Sequence, residues 1–185
     1  MRGPTLLAAF LVASLGCDTK EAAPPPPPTG LAPVAQPATN LGPMGVPVAE
    51  PRPGFVPMTV GTVQPGLDGW TLTLVDAGRT VQVPMIIGEA EASVIQMRLA
   101  GRRFERPLTH DLLDSIVQRL GARVVMVEVD TLRSNAFIAN VVLWDGTQLH
   151  RVDSRTSDGV ALALGNQAPI YVAQPVIDRT GVPVY

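Results

Sequence analysis

Pro107-Leu108-Thr109-His110-Asp111-Leu112-Leu113 and Asp153-Ser154-Arg155-Thr156-Ser157-Asp158-Gly159-Val160-Ala161-Leu162-Ala163 are the two stretches on which the reading of this 185-residue chain turns. Each sets polar and charged side chains just ahead of an apolar run, the pattern of a helix start. A helix start presents unpaired backbone N–H donors beside those side chains. Two such starts, joined by strands, predict a single site to which both contribute.

The residues between and around them complete a mixed pattern. Residues 58–63 and 80–87 read as strands, and residues 70–75 alternate, with Trp70, Leu72 and Leu74 on one face. Asp76-Ala77-Gly78 turns the hairpin between the last two, and Pro84 predicts a sheet edge or a bulge. Residues 88–100 read as a helix with Ala90, Val94 and Met97 on its apolar stripe, widened by Ile95 and Leu99 and closed by Gly101. Thr109 is the expected cap of a second helix that ends near Leu120 before Gly121, with Leu113, Ile116, Val117 and Leu120 as its core face. Strands follow at 123–130, 135–144 and 147–152, the last two joined by Asp145-Gly146. A short helix at 157–164 stops at Gly165, a brief strand spans 169–172, and a last helical turn covers 174–180. Strands and helices without regular alternation predict an α+β domain over residues 58–185, with a single mixed sheet and three or so helices. No internal repeat and no glycine-rich phosphate loop occur.

The N-terminal third is different. Residues 1–17, MRGPTLLAAFLVASLGC, join a basic Arg2 to an apolar segment too short to span a bilayer. Ser14-Leu15-Gly16-Cys17 resembles a bacterial lipoprotein cleavage box, with Ser14 where Leu is usual; an ordinary secretory signal is the plainer reading. The expectation is lipidation at Cys17, export to the cell envelope and anchoring on a membrane, periplasmic or at the outer surface, since several acyl chains on one Cys hold stably. Residues 18–57 carry 12 of the 19 prolines, Pro24 to Pro28 among them. Proline fixes φ and removes donors, so this stretch reads as an extended linker rather than helix or sheet.

Charge and composition exclude some functions. Residues 58–185 hold 11 Arg, no Lys and 13 Asp plus Glu, a net charge of −2. Dedicated nucleic-acid binders show a basic excess, so any phosphate contact must be a local one. The one cysteine excludes an intramolecular disulfide and a Cys-rich zinc site, and two histidines are too few for a histidine-rich metal site. Any metal is expected to be a hard cation on carboxylates, Mg2+ or Mn2+, and no organic cofactor is indicated.

Taken together in order and spacing, Ile87-Gly88-Glu89-Ala90-Glu91-Ala92, Arg106-Pro107-Leu108-Thr109-His110-Asp111-Leu112, the Asp153-x-Arg155-x-Ser157-Asp158 run with Ala161-Leu162-Ala163, and Ala168-Pro169-Ile170-Tyr171-Val172 resemble the bifunctional nuclease domain family. The resemblance implies an α+β fold, assembly as a homo-oligomer, and activity on both DNA and RNA. The chain departs from the family in its export signal and proline-rich tether, and in Gly159, where Ala is common.

A metal-dependent nuclease holds its cation on carboxylates and uses it to activate water and offset phosphate charge. The candidate ligands are Glu89, Glu91, Asp153 and Asp158. His110, Asp111, Arg155 and Asp158 are the candidate catalytic groups: His110 because imidazole titrates near neutrality, Arg155 because a guanidinium grips phosphate in a planar fork. Each has a structural alternative. Glu89, Asp111 and Asp158 sit in first helical turns, where an acid complements the helix dipole. His110 and Asp114 are spaced to pair on a surface, Arg155 to pair with Asp153 or Asp158, and Ser157 to cap its helix. Arg98, Arg102, Arg103 and Arg106 form a basic cluster suited either to anionic groups or to a solvated helix end. Trp70, Phe137 and Trp144 lie in alternating strands and read as core rather than stacking platforms.

Two functions follow: a membrane-tethered, metal-dependent nuclease, or a non-catalytic envelope module that binds a protein or a small anion. Convergence of Glu89, His110, Asp111 and Asp158 in one cleft favours the first.

Overall fold

The computed structural model describes residues 49–102 and 104–184. Cys17, Arg103 and the linker up to residue 48 lie outside the described residues.

The strands are β1 (Phe55–Gly66), β2 (Gly69–Asp76), β3 (Val81–Ile87), β4 (Arg123–Arg133), β5 (Ala136–Trp144), β6 (Leu149–Arg155), β7 (Ile170–Ala173) and β8 (Val182–Pro183). They form one sheet in the order β6-β5-β4-β7-β1-β2-β3-β8. The architecture is the α+β expected. Two antiparallel meanders, β1-β2-β3 and β4-β5-β6, are joined through β7, which runs antiparallel to β1 and parallel to β4. Pro84 sits beyond the reach of β8, which pairs only with Val81 and Gln82, so its missing N–H faces an open edge as expected.

Four helices accompany the sheet: α1 (Glu89–Leu99), α2 (Thr109–Arg119), α3 (Thr156–Asn166) and α4 (Gln174–Thr180). The core between helices and sheet is aliphatic; Leu72, Leu74, Ile95, Val127, Val129, Val160 and Val172 are fully buried. Each such side chain contributes about 1.5–3 kcal/mol relative to its exposed state. Trp70 and Phe137 pack against this core and Trp144 against a smaller cluster with Met126, Val142 and Leu149, as their strand positions predict.

Four local expectations are corrected. The first strand begins at Phe55 rather than residue 58, and Arg52 just before it is docked on Glu128, so the linker ends earlier than its proline content suggests. Leu108, not Thr109, is the N-cap of α2; its N–H is held by the Asp111 carboxylate at 3.1 Å. Arg155, not Ser157, caps α3, because β6 runs straight into the helix and Ser157 is buried in its first turn. Gly165 does not stop α3, which continues to Asn166 and ends at Gln167 with φ of 54°. Gly165 is instead a point of close approach: a Cβ there would run into the guanidinium of Arg98.

The largest departure is α2. Of its expected core face only Val117 is buried; Leu113, Ile116 and Leu120 are exposed. The helix stands off the β4–β5–β6 half of the sheet and roofs a cleft instead of sealing it.

Candidate active site

The cleft beneath α2 has a volume of about 870 Å³. Its walls are aliphatic: Val94 from α1, Leu113 and Val117 from α2, Val141 and Val152 from β5 and β6, and Leu162 from α3. Its polar end is built where α1, α2 and α3 begin. Glu91 lies in the first turn of α1, His110 in that of α2 and Asp158 in that of α3, while Arg155 is the last residue of β6.

These four side chains form one connected chain. His110 Nε2 is 3.0 Å from Asp158 Oδ1. Arg155 donates from Nε to Asp158 Oδ2 at 2.8 Å and from Nη2 to Oδ1 at 3.3 Å. Arg155 Nη2 also lies 2.9 Å from Glu91 Oε1. The Asp158 hydrogen bond, its charge and that of Glu91 push the Arg155 pKa above the usual guanidinium value. His110 is mostly buried, whereas the Arg155 side chain is 70% exposed and can be reached from solvent. An ionised carboxylate only accepts, so Asp158 makes Nε2 the donor and leaves the lone pair on Nδ1.

Of Glu89, His110, Asp111 and Asp158, the cleft therefore brings together His110 and Asp158, with Glu91 and Asp153 also lining it. Glu89 is exposed and outside it. Asp111 faces a second cluster, where Arg98 Nη2 donates to Asp111 Oδ1 at 3.1 Å and to Asp114 Oδ2 at 2.7 Å. There Asn166 Nδ2 reaches Asp114 Oδ1 at 2.7 Å and Arg98 Nη1 reaches the Ala161 carbonyl. Asp114 is thus not the partner of His110, and Arg98 is a nearly buried clamp rather than part of a solvated basic cluster. The signal for that clamp was Gly165, a glycine inside an Ala/Leu helix, whose missing side chain makes room for the guanidinium.

The fit to a divalent cation can be judged on the same atoms. Among the described residues, no three His, Cys, Asp or Glu side chains are grouped as a metal site. Between Glu91 and Asp158 the positive charge is the Arg155 guanidinium. As arranged, the donors suit a bridging guanidinium and not a resident ion.

The chain is thus a mixed-sheet α+β domain with a His–Asp–Arg cluster at the mouth of a cleft. The sequence pattern of the bifunctional nuclease domain matches residues 72–185, and the chain belongs to that family. It is also similar to two uncharacterised proteins from two strains of Mycobacterium tuberculosis, each 33% identical over 111 residues. That match covers 60% of this chain and 66% of each relative.

Proposed function

We propose that the cleft cleaves phosphodiesters in DNA or RNA. The observation that carries this reading is the His110–Asp158–Arg155 chain at the cleft mouth, within a domain of the bifunctional nuclease family. In this reading Asp158 orients His110, His110 Nδ1 takes the proton of an attacking water, the new P–O bond forms as the bond to the leaving sugar oxygen breaks, that oxygen takes up a proton from solvent, and the exposed edge of Arg155 holds the phosphate. Positioned proton transfer of this kind contributes about 10²–10⁴-fold in rate. Glu91 and Asp158 keep Arg155 aligned until the phosphate competes for it.

The proposal also includes the tether: lipidation at Cys17 would hold the domain at a membrane, with the proline-rich stretch as spacer. Intact mass of the exported chain reads that step directly. Homo-oligomer formation belongs to the proposal as well and is read by light scattering.

The test is cleavage of labelled single-stranded DNA and RNA by the purified chain, in Mg2+, Mn2+ and chelator, beside Asp158→Asn and His110→Ala prepared identically. Cleavage lost in both variants supports the reading, and the metal arms decide whether an ion acts with the substrate. Cleavage equal in all three chains overturns the site. No cleavage in any arm overturns the nuclease reading and leaves the non-catalytic binding module, which the net charge of −2 over residues 58–185 favours.

A further inference from the structure

Arg155 borders a second cavity as well as the cleft. This one has a volume of about 580 Å³ and is lined by Gly88 ahead of α1, Asn135 of the β4–β5 turn, and Thr156 and Ser157 of α3. Among the described residues Arg155 is the one charged side chain that lines it. Glu91 and Asp158, which grip the same guanidinium, line the cleft and not this cavity.

The first turn of α3 stands in the wall of this cavity with donors uncommitted. No side chain caps the helix, because its N-cap is Arg155, whose guanidinium carries no acceptor. The first N–H groups of a helix have no partner within it. Thr156 and Ser157 are only 5 and 8% exposed, and Thr156 Oγ1 makes no hydrogen bond. A buried hydroxyl without a partner is costly, and a valine would fill the same space without that cost. A helix start alone would carry no argument. Here a buried, unpartnered hydroxyl and a lone guanidinium meet it in one cavity.

We propose that the first turn of α3 is a phosphate subsite. The N–H groups of the turn, the hydroxyls of Thr156 and Ser157 and the fork of Arg155 can each donate to an anion, and a phosphate offers the acceptor oxygens to match. Because Arg155 borders both cavities, the phosphate seated here is the neighbour, along one strand, of the phosphate on which His110 acts. That placement rests on the nuclease reading. Phosphate binding at the turn does not.

The experiment follows the backbone amide resonances of the full chain as inorganic phosphate is added at neutral pH. The amides of residues 156–158 should shift saturably. Ser157→Ala and Thr156→Val should each weaken the binding about tenfold, the usual worth of one hydrogen bond to a charged group. No saturable shift, or a shift centred on residues 109–113, overturns the subsite. The urea midpoint of Thr156→Val without phosphate should hold or rise, since the variant removes a buried hydroxyl and keeps the shape. A clear fall would show that the hydroxyl serves the fold and would also overturn the proposal. A thymidine dinucleotide with a terminal phosphate, at its 5′ or its 3′ end, should bind about tenfold tighter than the same dinucleotide without one, and Ser157→Ala should erase the gain. No gain at either end, or a gain that survives in Ser157→Ala, overturns the placement beside the scissile phosphate. Binding is read here without turnover, so a chain that cleaves nothing can still pass and an active nuclease can still fail.

Discussion

At the scale of single residues, the site depends on Asp158, which serves two neighbours through one carboxylate. Oδ1 accepts from His110 and both oxygens accept from Arg155. Asp158→Asn keeps the shape but replaces part of an acceptor with a donor, so His110 loses the bond that selects its tautomer. On the proposed reaction the variant should lose about 10²–10⁴-fold in kcat with little change in thermal midpoint. Arg155→Lys separates the roles further. A lysine keeps the charge but cannot grip phosphate in a fork, so KM should rise several-fold more than kcat falls. Steady-state kinetics on a labelled oligonucleotide checks both. Much of this site was legible in the sequence, because His110, Arg155 and Asp158 announce themselves as polar residues at helix starts. Asp111 carries the same local signal and goes elsewhere. Which way a first-turn carboxylate points depends on what packs behind it, here Arg98, whose partner lies in another element and leaves no local trace.

At the scale of elements, α2 is held by polar contacts more than by apolar burial. Its sequence has the periodicity of a core helix, and that periodicity misled: it sets the angular positions of Leu113, Ile116 and Leu120 but not how far the helix stands from the sheet. Arg98, with its side chain 7% exposed, ties α1 to Asp111 and Asp114 of α2 and to the Ala161 carbonyl of α3. Arg98→Leu would strip the charge from a nearly buried pair and leave carboxylates facing apolar surroundings, a loss of about 3–5 kcal/mol. The loss should be local. Amide exchange over residues 109–119 should accelerate well before the sheet's does, whereas uniform acceleration would show that α2 and the sheet open together. The hairpin turns respond to pH instead. Asp76 is held below the 3.8 of a free aspartate, first by the Val81 N–H and also by Thr80. Asp145 is held lower still, first by the Thr147 hydroxyl and then by His150 and the Gln148 N–H. A carboxyl depressed on folding contributes stability that is complete above its unfolded pKa and is lost as pH falls through the folded one. Urea midpoints should therefore be flat above about pH 4 and fall below it, and Asp145→Asn should flatten part of that acid limb.

At the scale of the whole molecule, two meanders adjacent in sequence are knit together by the short β7. Local pattern located each meander but not their joining, since four residues between Ile170 and Ala173 carry little periodicity and their partners are about 40 and 115 residues away. The other face of β4 supplies a second tie that composition concealed. Alternation along β4 turns Val127 and Val129 to the helices and Glu128 to the opposite face, where it is fully buried. Glu128 Oε2 accepts from Arg52 Nε and from Arg151 Nε, both at 3.0 Å, and Oε1 accepts from the Arg52 backbone N–H at 3.2 Å. Arg52 Nη2 continues to Asp130 at 3.0 Å. The end of the proline-rich stretch is thus pinned across the β4–β5–β6 meander by an ion network that no linker composition reveals. Glu128→Gln leaves the Arg151 side chain, 13% exposed, without its counter-charge, which should cost about 3–5 kcal/mol. Arg52→Ala removes a cation that is 36% exposed and leaves Arg151 in place, so it should cost nearer 1 kcal/mol. With Glu128 already changed to Gln, the further loss of Arg52 should cost less than it does alone, because the charge it served is gone. Urea unfolding of the two single variants and the double variant measures the coupling directly. Strict additivity would mean that Arg52 is held by Asp130 and by its ring contact with Phe55, 4.6 Å from the guanidinium, and not by Glu128.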